Sequence, residues 1–423
     1  MLEQIRTDNS WAFTECSVKE TSYLTHNYYT YPAKFIPQLA KRLILEHSHK
    51  GDCVVDSFMG SGTTIVESLI TGRKTIGVDV NEIAFLVSKV KTTPIEPLQL
   101  VKTFLELKNT YLNSRETFCV ESLPILHEKI DYWYKEPQKK DLAILLNNIL
   151  EITDINIKNF FLVSFAQILK TCSIWLQKSV KPTRDLNKKD ADVFIAFNKQ
   201  ATKMIKKADE FYRNLAPDTI LRIEEQRIIA CRDARHIPCE KNKATLVVTS
   251  PPYVTSYEYA DLHQLPLYWL GHLKELSLFR KKFIGSSFSQ RTSAKIYSET
   301  AEEIVRNLNN KKKQEVTNYF ADMYEVFEEM YRILKPQGKA CIVIGNTHFR
   351  GVEIKNAEVF VEQMQHLGFK VFDIIKREIP SKMLPSTRDD KTGRFTKITN
   401  NNLTLAYPTE YILIMQKGEK NDY

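Results

Sequence analysis

Between Phe35 and His47 the apolar residues fall at Phe35, Ile36, Leu39, Ala40, Leu43 and Ile44. That spacing of three and four predicts an amphipathic helix, ended by Gly51. Cys53-Val54-Val55-Asp56 is a short β-branched run and predicts a buried strand. It breaks at Gly60-Ser61-Gly62, after which Thr63 to Ile70 predicts a second helix capped by Gly72. Lys74 to Val78 predicts the next strand, ending at Asp79. Strand, glycine turn, helix and strand in this order make a βαβ unit with a parallel pair.

From Pro94 to Leu221 the pattern changes. Glycine disappears and helical periodicity takes over, at Asp141 to Ile152, Asn159 to Ile174 and Asp192 to Leu215. Strands return at Arg227 to Cys231 and Ala244 to Val248. Tyr319 to Leu334 predicts a helix closed by Pro336 and Gly338, followed by strands at Ala340 to Ile344, Phe369 to Ile375 and Tyr411 to Met415. The polar stretch Ser381 to Pro408 predicts a long loop or hairpin. The expected organisation is one catalytic domain from residues 1–93 and 221–423, interrupted by a helical insertion at 94–220.

Composition narrows the class. Of 423 residues, 43% are hydrophobic, which excludes a disordered chain. The formal charge of +9 admits a polyanionic partner without requiring one. The cysteines (16, 53, 119, 172, 231, 239 and 341) are scattered and form no C-x-x-C, which argues against a disulfide framework or zinc cluster. No metal is expected. Met1 to Cys16 has no apolar segment of signal-peptide type, and no stretch approaches the ~20 apolar residues of a membrane span. A cytoplasmic protein is expected.

Two motifs carry chemistry. In Asp56-Ser57-Phe58-Met59-Gly60-Ser61-Gly62-Thr63-Thr64, glycines at a strand-to-helix turn let a ligand approach the backbone. No Lys follows as in a P-loop, and Ile65 replaces the third glycine of a dinucleotide fingerprint. An acid at the strand end suits a cationic amine instead. Asp79, 23 residues on, ends the next strand and can take two ribose hydroxyls. Together they fit an amino-acid nucleoside, S-adenosylmethionine; the bland reading is a βα turn with two incidental acids. The second motif is Thr249-Ser250-Pro251-Pro252-Tyr253, directly after a strand. Its prolines fix φ, remove donors and leave rigid carbonyl acceptors. Ser250 adds an acceptor oxygen, and Tyr253 a flat face for a flipped-out base. A plain Pro-Pro turn is the alternative.

With both motifs present, the chain resembles the amino-methylating DNA methyltransferases. The Ser-Pro-Pro-Tyr form, with Ser where adenine enzymes usually have Asp or Asn, is similar to the N4-cytosine branch of type II restriction–modification. The resemblance implies a doubly wound α/β fold with a mostly parallel seven-stranded sheet. It makes Ser250, Pro251, Pro252 and Tyr253 catalytic. It places S-adenosylmethionine against Tyr31, Lys34, Phe35, Asp56, Phe58, Gly60, Gly62, Thr63, Asp79, Asp233, Ala234 and Thr249. Within this group Tyr31-Pro32-Ala33-Lys34-Phe35 borders the methionine, and Asp233 meets the adenine amino group. The partner implied is double-stranded DNA, with a functional but not physical pairing to a restriction endonuclease; a monomer is expected. Length and motif layout resemble methylases of the BamHI type, which implies a site such as GGATCC. N6-adenine methylation, RNA-base methylation and a non-catalytic nucleic-acid binder are the competing readings. A C5-cytosine mechanism would need a Pro-Cys nucleophile, and Pro238-Cys239 precedes the fourth strand instead of following it.

Three basic stretches compete for the DNA backbone: Lys178 to Lys207, Lys274 to Lys313 and Lys376 to Lys397. Lys181, Arg184, Lys189, Arg291, Arg388 and Arg394 are the candidate contacts, with Asn400 to Asn402 beside the last two. His26, His236 and His263 read as polar surface or packing residues.

Overall fold

The computed structural model describes residues 2–32, 34–117, 127–254, 259–286, 295–349, 352–379, 387–389, 403–405 and 409–419. Seven strands make the central sheet: β1 (Cys53–Asp56), β2 (Lys74–Asp79), β3 (Arg227–Cys231), β4 (Ala244–Thr249), β5 (Leu334–Ile344), β8 (Phe369–Glu378) and β11 (Thr409–Lys417). Two small hairpins supply the other strands, β6 (Thr347–Phe349) with β7 (Val352–Ile354) and β9 (Thr387–Asp389) with β10 (Leu403–Leu405). The sheet order is β3-β2-β1-β4-β5-β11-β8. β11 alone runs antiparallel, to both of its neighbours. The expected α/β class and mostly parallel seven-stranded sheet are therefore present.

Neighbouring residues of each strand face opposite sides, as the pleat requires. Val54, Leu246, Val248, Cys341 and Val343 pack under helix α1 (Pro37–His47) with Trp11, Leu39 and Leu43. Val55, Val247, Ile342 and Ile344 face the other way, onto helices Asn310–Ile333 and Asn356–His366. Helices on both faces bury both sides of the sheet, which explains its near-continuous Val/Ile runs.

Helices α2 (Thr63–Ile70) and α3 (Glu82–Lys91) follow β1 and β2. The glycine-free stretch folds into α4 (Pro97–Thr117), α5 (Lys129–Trp133), α6 (Glu136–Leu150), α7 (Ile155–Cys172) and α8 (Val193–Asn214). Their core includes Phe104, Phe160, Phe161, Phe165 and Phe197. It also takes in Tyr28, Tyr29 and Tyr31 ahead of α1, and Leu265, Leu267 and Trp269 after the Ser-Pro-Pro-Tyr turn. The helices are thus packed against the segments that flank both motifs. Among the described residues, no helix is long and apolar enough to cross a membrane.

Three departures from the sequence reading have physical causes. The helix ending at Ile333 begins at Asn310, nine residues before the expected Tyr319. Its first turns are Lys/Glu-rich and carry no apolar stripe, and Asn309 caps them by accepting from the Lys312 amide. β5 begins at Leu334 instead of Ala340, with residues 335–338 bulged out between the Ala244–Leu334 and Leu246–Lys339 pairs. Pro336 and Gly338 occupy that bulge, where a missing donor and a missing side chain are tolerated. Helix Asn356–His366 lies outside the elements the sequence predicts, although Ala357, Phe360, Val361 and Met364 carry helical spacing; the contiguous Val359-Phe360-Val361 run beside a strand pattern masks it.

Candidate active site

In an open parallel sheet, ligands bind outside the carboxyl ends of the strands, where the strand order reverses. Here that point lies between β1 and β4, paired through Val54–Leu246 and Val55–Val247. Asp56 ends β1, Asp79 ends β2, Arg232-Asp233 follow β3 and Thr249 ends β4. The sheet therefore brings four motif segments, far apart in sequence, onto one edge.

Asp56 is buried, and its Oδ1 accepts from the Thr249 hydroxyl at 2.7 Å and from the Phe58 amide at 3.1 Å. Thr249 Oγ1 also accepts from the Phe58 amide at 3.2 Å. Burial raises the Asp56 carboxyl to about 6 despite these bonds. Asp79 is half-buried; its Oδ2 accepts from the Gly60 amide and its Oδ1 from the Asn81 amide, both at 2.9 Å. Burial lifts it to about 6 as well, and the charge of Asp56 adds to the lift.

The glycine turn is held from several sides. Gly62 has φ of +75°, and a Cβ there would stand 2.8 Å from the Ser88 hydroxyl. Ser88 donates in turn to the Gly60 carbonyl at 2.9 Å. A Cβ on Gly60 would meet the Tyr31 ring at 3.0 Å, so Tyr31 lies directly against the turn. Lys91, completely buried, donates to the Ser61 carbonyl at 2.5 Å, and burial depresses its pKa well below the ordinary value. Thr63 opens α2, and Phe58 is half-buried against the core on the helix Asn310–Ile333 side. Lys34 turns its amine to the His26 carbonyl at 2.8 Å, and burial lowers it to about 8. Phe35 packs with Trp11 and Leu39.

Asp233 is gripped by Arg235, through Nε at 2.9 Å and Nη2 at 2.7 Å. Burial raises its pKa, but the Arg235 hydrogen bonds and charge outweigh that, and the net shift is downward. Ala234 beside it is buried.

At the second motif, Pro251 is buried while Ser250, Pro252 and Tyr253 are half-buried. Tyr319 donates its hydroxyl to the Pro252 carbonyl at 2.8 Å. Tyr253 lies over Gly345, where a Cβ would stand 3.4 Å from its ring, and its hydroxyl is 3.5 Å from Glu410 Oε2. Glu410 pairs with Arg377 at 3.0 Å, and Arg377 donates to the Trp11 carbonyl at 2.7 Å. Cys239 is buried ahead of β4, at the opposite end of that strand from Thr249, which places the Pro-Cys pair away from this edge.

Two histidines are more embedded than their sequence context suggests. His26 is completely buried, with Nε2 2.6 Å from Glu67 Oε1, which also accepts from the Tyr23 hydroxyl at 2.5 Å. His263 stacks on Tyr31 at 4.7 Å and on Tyr29 at 5.9 Å, and burial lowers its pKa to about 4. His236 is exposed. His263, expected as a surface or packing residue, packs at the site, while Tyr319, Glu410, Arg377 and Lys91 carry no sequence signal of a site role. They lie outside the motifs, and only the fold brings them to the turns.

Of the candidate DNA contacts, Lys181, Arg184 and Lys189 are exposed on the loop between α7 and α8. That loop is braced by Leu176–Thr183 and Asp185–Ile174 backbone bonds, and the Arg184 guanidinium lies 4.2 Å over the Tyr132 ring. Arg388 lies in β9. Arg291, Arg394 and Asn400 to Asn402 lie outside the described residues, as does Cys119.

The edge fits a ligand that is cationic at one end and carries a diol. Among the described residues, no cation forms an ion pair with Asp56 or Asp79, although Asp56 is buried and Asp79 half-buried. The hydroxyls of Ser57 and Ser61 are buried beside them without a hydrogen-bond partner. Buried acceptors and hydroxyls in this condition suit a ligand that brings its own donors.

A family model described as DNA methylase matches residues 3–89 and 244–423, more than half of the chain. The chain is 27% identical over 430 aligned residues to the Type II methyltransferase M.MvaI of Kocuria varians, covering 95% of this chain and 92% of that protein. It is 22% identical to the Type II methyltransferase M.BsoBI of Geobacillus stearothermophilus, covering 82% and 79%. A 43% match to the orphan methyltransferase M.BamHII of Bacillus amyloliquefaciens spans 54 residues, 13% of this chain and 20% of that one.

Proposed function

The chain belongs to the N6/N4 family of DNA methylases, and from that premise we propose that it methylates the exocyclic N4 amine of cytosine in duplex DNA. The observation that carries this reading is Ser250, a hydroxyl between Thr249 and the Pro-Pro pair where an adenine-type site usually has a carboxylate or carboxamide. The methyl donor is S-adenosylmethionine. Asp56 would hold its amine, Asp79 its ribose hydroxyls and the Asp233-Ala234 segment its adenine, with Tyr31 covering the glycine turn. When bound, it supplies an electrophilic methyl group on a sulfonium.

The chain's own residues must make a poor nucleophile competent. The cytosine amine delocalises its lone pair into the ring. Ser250 Oγ and the Pro251 carbonyl would accept its two N–H groups and favour a pyramidal nitrogen, whose lone pair is then free to attack in line. Tyr253 would stack on the extruded base. Ser250 acts as an acceptor and forms no covalent bond. The proton leaves during or after transfer.

Residues 94–220 would form a DNA-contacting insertion, with Lys181, Arg184 and Lys189 on phosphates. The Type II names of the relatives support a protective role beside a restriction endonuclease; the proposal further places the enzyme in the cytoplasm and has it act as a monomer. M.MvaI matches 95% of the chain and M.BamHII only 13%, so the proposal keeps a short duplex site and not the letters GGATCC.

The test is to incubate the protein with mixed-sequence duplex DNA and S-adenosylmethionine, digest to nucleosides and weigh them by mass spectrometry. N4-methylcytosine is the expected product. N6-methyladenine would overturn the reading of Ser250 while keeping the family and the cofactor. Methylation of RNA alone would overturn the substrate.

A further inference from the structure

The catalytic turn keeps a soft dihedral, ψ of Pro252, that its sequence does not fix. Prolines at 251 and 252 set two φ angles. The plane of the peptide after Pro252 still turns about ψ, and that plane decides where the Tyr253 ring points. It also decides whether the Pro252 carbonyl faces the same space as the Pro251 carbonyl.

One side chain outside the motif controls that plane. Tyr319 is completely buried on helix Asn310–Ile333, and its hydroxyl donates to the Pro252 carbonyl at 2.8 Å. Its ring stacks on Phe360 at 6.3 Å. A Cβ on Gly285 would meet the ring at 3.2 Å and the Tyr253 carbonyl at 3.8 Å, so the chain returning from the turn closes over the same contact. The helix itself is pinned by Gln363, which donates to the Phe320 carbonyl at 2.9 Å. One helical turn further on, Asp322 accepts from Arg235 at 3.1 Å, and Arg235 grips Asp233. Residues three apart share a helix face. A single face of one helix therefore holds both the catalytic turn and the loop assigned to the adenine.

We propose that Tyr319 is a positioning residue for methyl transfer: its hydrogen bond to the Pro252 carbonyl orients the Tyr253 ring and leaves Ser250 Oγ and the Pro251 carbonyl to receive the target amine. This rests on the reading of Thr249 to Tyr253 as the catalytic turn. With the Pro252 carbonyl engaged, it does not compete for the amine protons. The Tyr253 ring is aimed along Gly345, with its hydroxyl toward Glu410.

The experiment compares wild type, Tyr319→Phe and Ser250→Ala. The Phe variant removes one oxygen and keeps the buried ring. Single-turnover methyl transfer to genomic DNA is followed with tritiated S-adenosylmethionine, cofactor Kd by calorimetry and stability by thermal melting. The expected result for Tyr319→Phe is a transfer rate lower by roughly 10- to 100-fold, as small misplacement of reacting groups produces. Cofactor Kd and Tm should stay near wild type. A full rate in Tyr319→Phe, with Ser250→Ala inactive, overturns the role of Tyr319 and leaves the catalytic turn standing. A full rate in Ser250→Ala removes the catalytic turn itself, and the proposal with it. A parallel loss of rate, cofactor affinity and Tm in Tyr319→Phe would make Tyr319 merely structural and also overturn the proposal.

Discussion

Thr249 donates its hydroxyl to Asp56 at 2.7 Å, so the first residue of the Thr-Ser-Pro-Pro-Tyr turn is tied to the carboxylate that ends the neighbouring strand. The bond joins the two motifs across the switch point of the sheet. Thr249→Val keeps the shape and removes the donor. Hydrogen bonds to charged groups contribute about 1.5–3 kcal/mol, and losing this one also lets burial push Asp56 further toward the neutral acid. Cofactor affinity measured by calorimetry should fall roughly tenfold or more, and Tm should fall as well, because the buried bonds to Asp56 and from the Phe58 amide are both lost.

Asp56 and Asp79 both titrate near 6, above the ordinary carboxylate range, because burial opposes their charge. A carboxyl raised on folding contributes stability that is complete below its unfolded pKa and is lost as pH rises through about 6. Ligand binding runs the other way, since a cationic amine needs Asp56 ionised. Cofactor affinity should therefore weaken as pH falls through about 6. In the protein without ligand, Asp56→Asn should gain stability relative to wild type as pH rises, by roughly 3 kcal/mol between about pH 4 and pH 8. Denaturant titrations of both proteins at the two pH values check this. Equal differences at both would refute the raised pKa.

Gly62 has φ of +75° and no room for a Cβ beside Ser88. Gly62→Ala must move α2 or the Gly60–Gly62 turn. A strained backbone position costs about 1–3 kcal/mol. The expected outcome is a stable protein with cofactor affinity reduced at least tenfold, read by calorimetry.

Beneath the turn, Glu67 Oε1 accepts from the Tyr23 hydroxyl and lies 2.6 Å from His26 Nε2, and neither Glu67 nor His26 is exposed at all. Burial holds His26 neutral, so removing Glu67 leaves neutral His26 and Tyr23 groups unsatisfied, at a cost of about 1–3 kcal/mol. Glu67→Ala should lose that much in urea unfolding. A loss under 1 kcal/mol, roughly the value of an exposed pair, would show that water replaces the carboxylate.

The sheet was legible because each strand carries its own signal. Cys53–Asp56 and Lys74–Asp79 each follow a glycine turn (Gly51, Gly72), carry a β-branched stretch and end on an acid, and both ends fall where the sequence puts them. The carboxylates, the glycine turn and the Ser-Pro-Pro-Tyr turn were legible for the same reason: their chemistry lies in consecutive residues. What escaped is the machinery that holds them. Tyr319 reaches Pro252 across 67 positions, Arg377 reaches Trp11 across 366, and His263 reaches Tyr29 across 234. Each is an ordinary core or strand residue in its local context. Only the packing of the sheet and its flanking helices gives each a partner at the site.

Lys181, Arg184 and Lys189 offer a direct test of where the DNA backbone lies. Among the described residues none of the three forms an ion pair, while Lys135 next to the same loop is paired with Asp190 at 2.6 Å. Ser179 and Thr183 brace the loop with bonds to the Lys181 carbonyl, so the cations stand on an ordered scaffold. Ordered cations without a carboxylate partner lose little on meeting phosphate, Arg184 giving up only its contact with the Tyr132 ring. Each phosphate contact contributes about 0.9 to the slope of log affinity against log salt. Changing all three residues to Glu should lower the slope by up to about 2.7 and weaken binding to any duplex sequence alike. Cofactor affinity should stay unchanged, because the loop shares no contact with Asp56 or Asp79. An unchanged salt slope would move the DNA path to another face, with the basic stretch at Lys274 to Lys313 next in line.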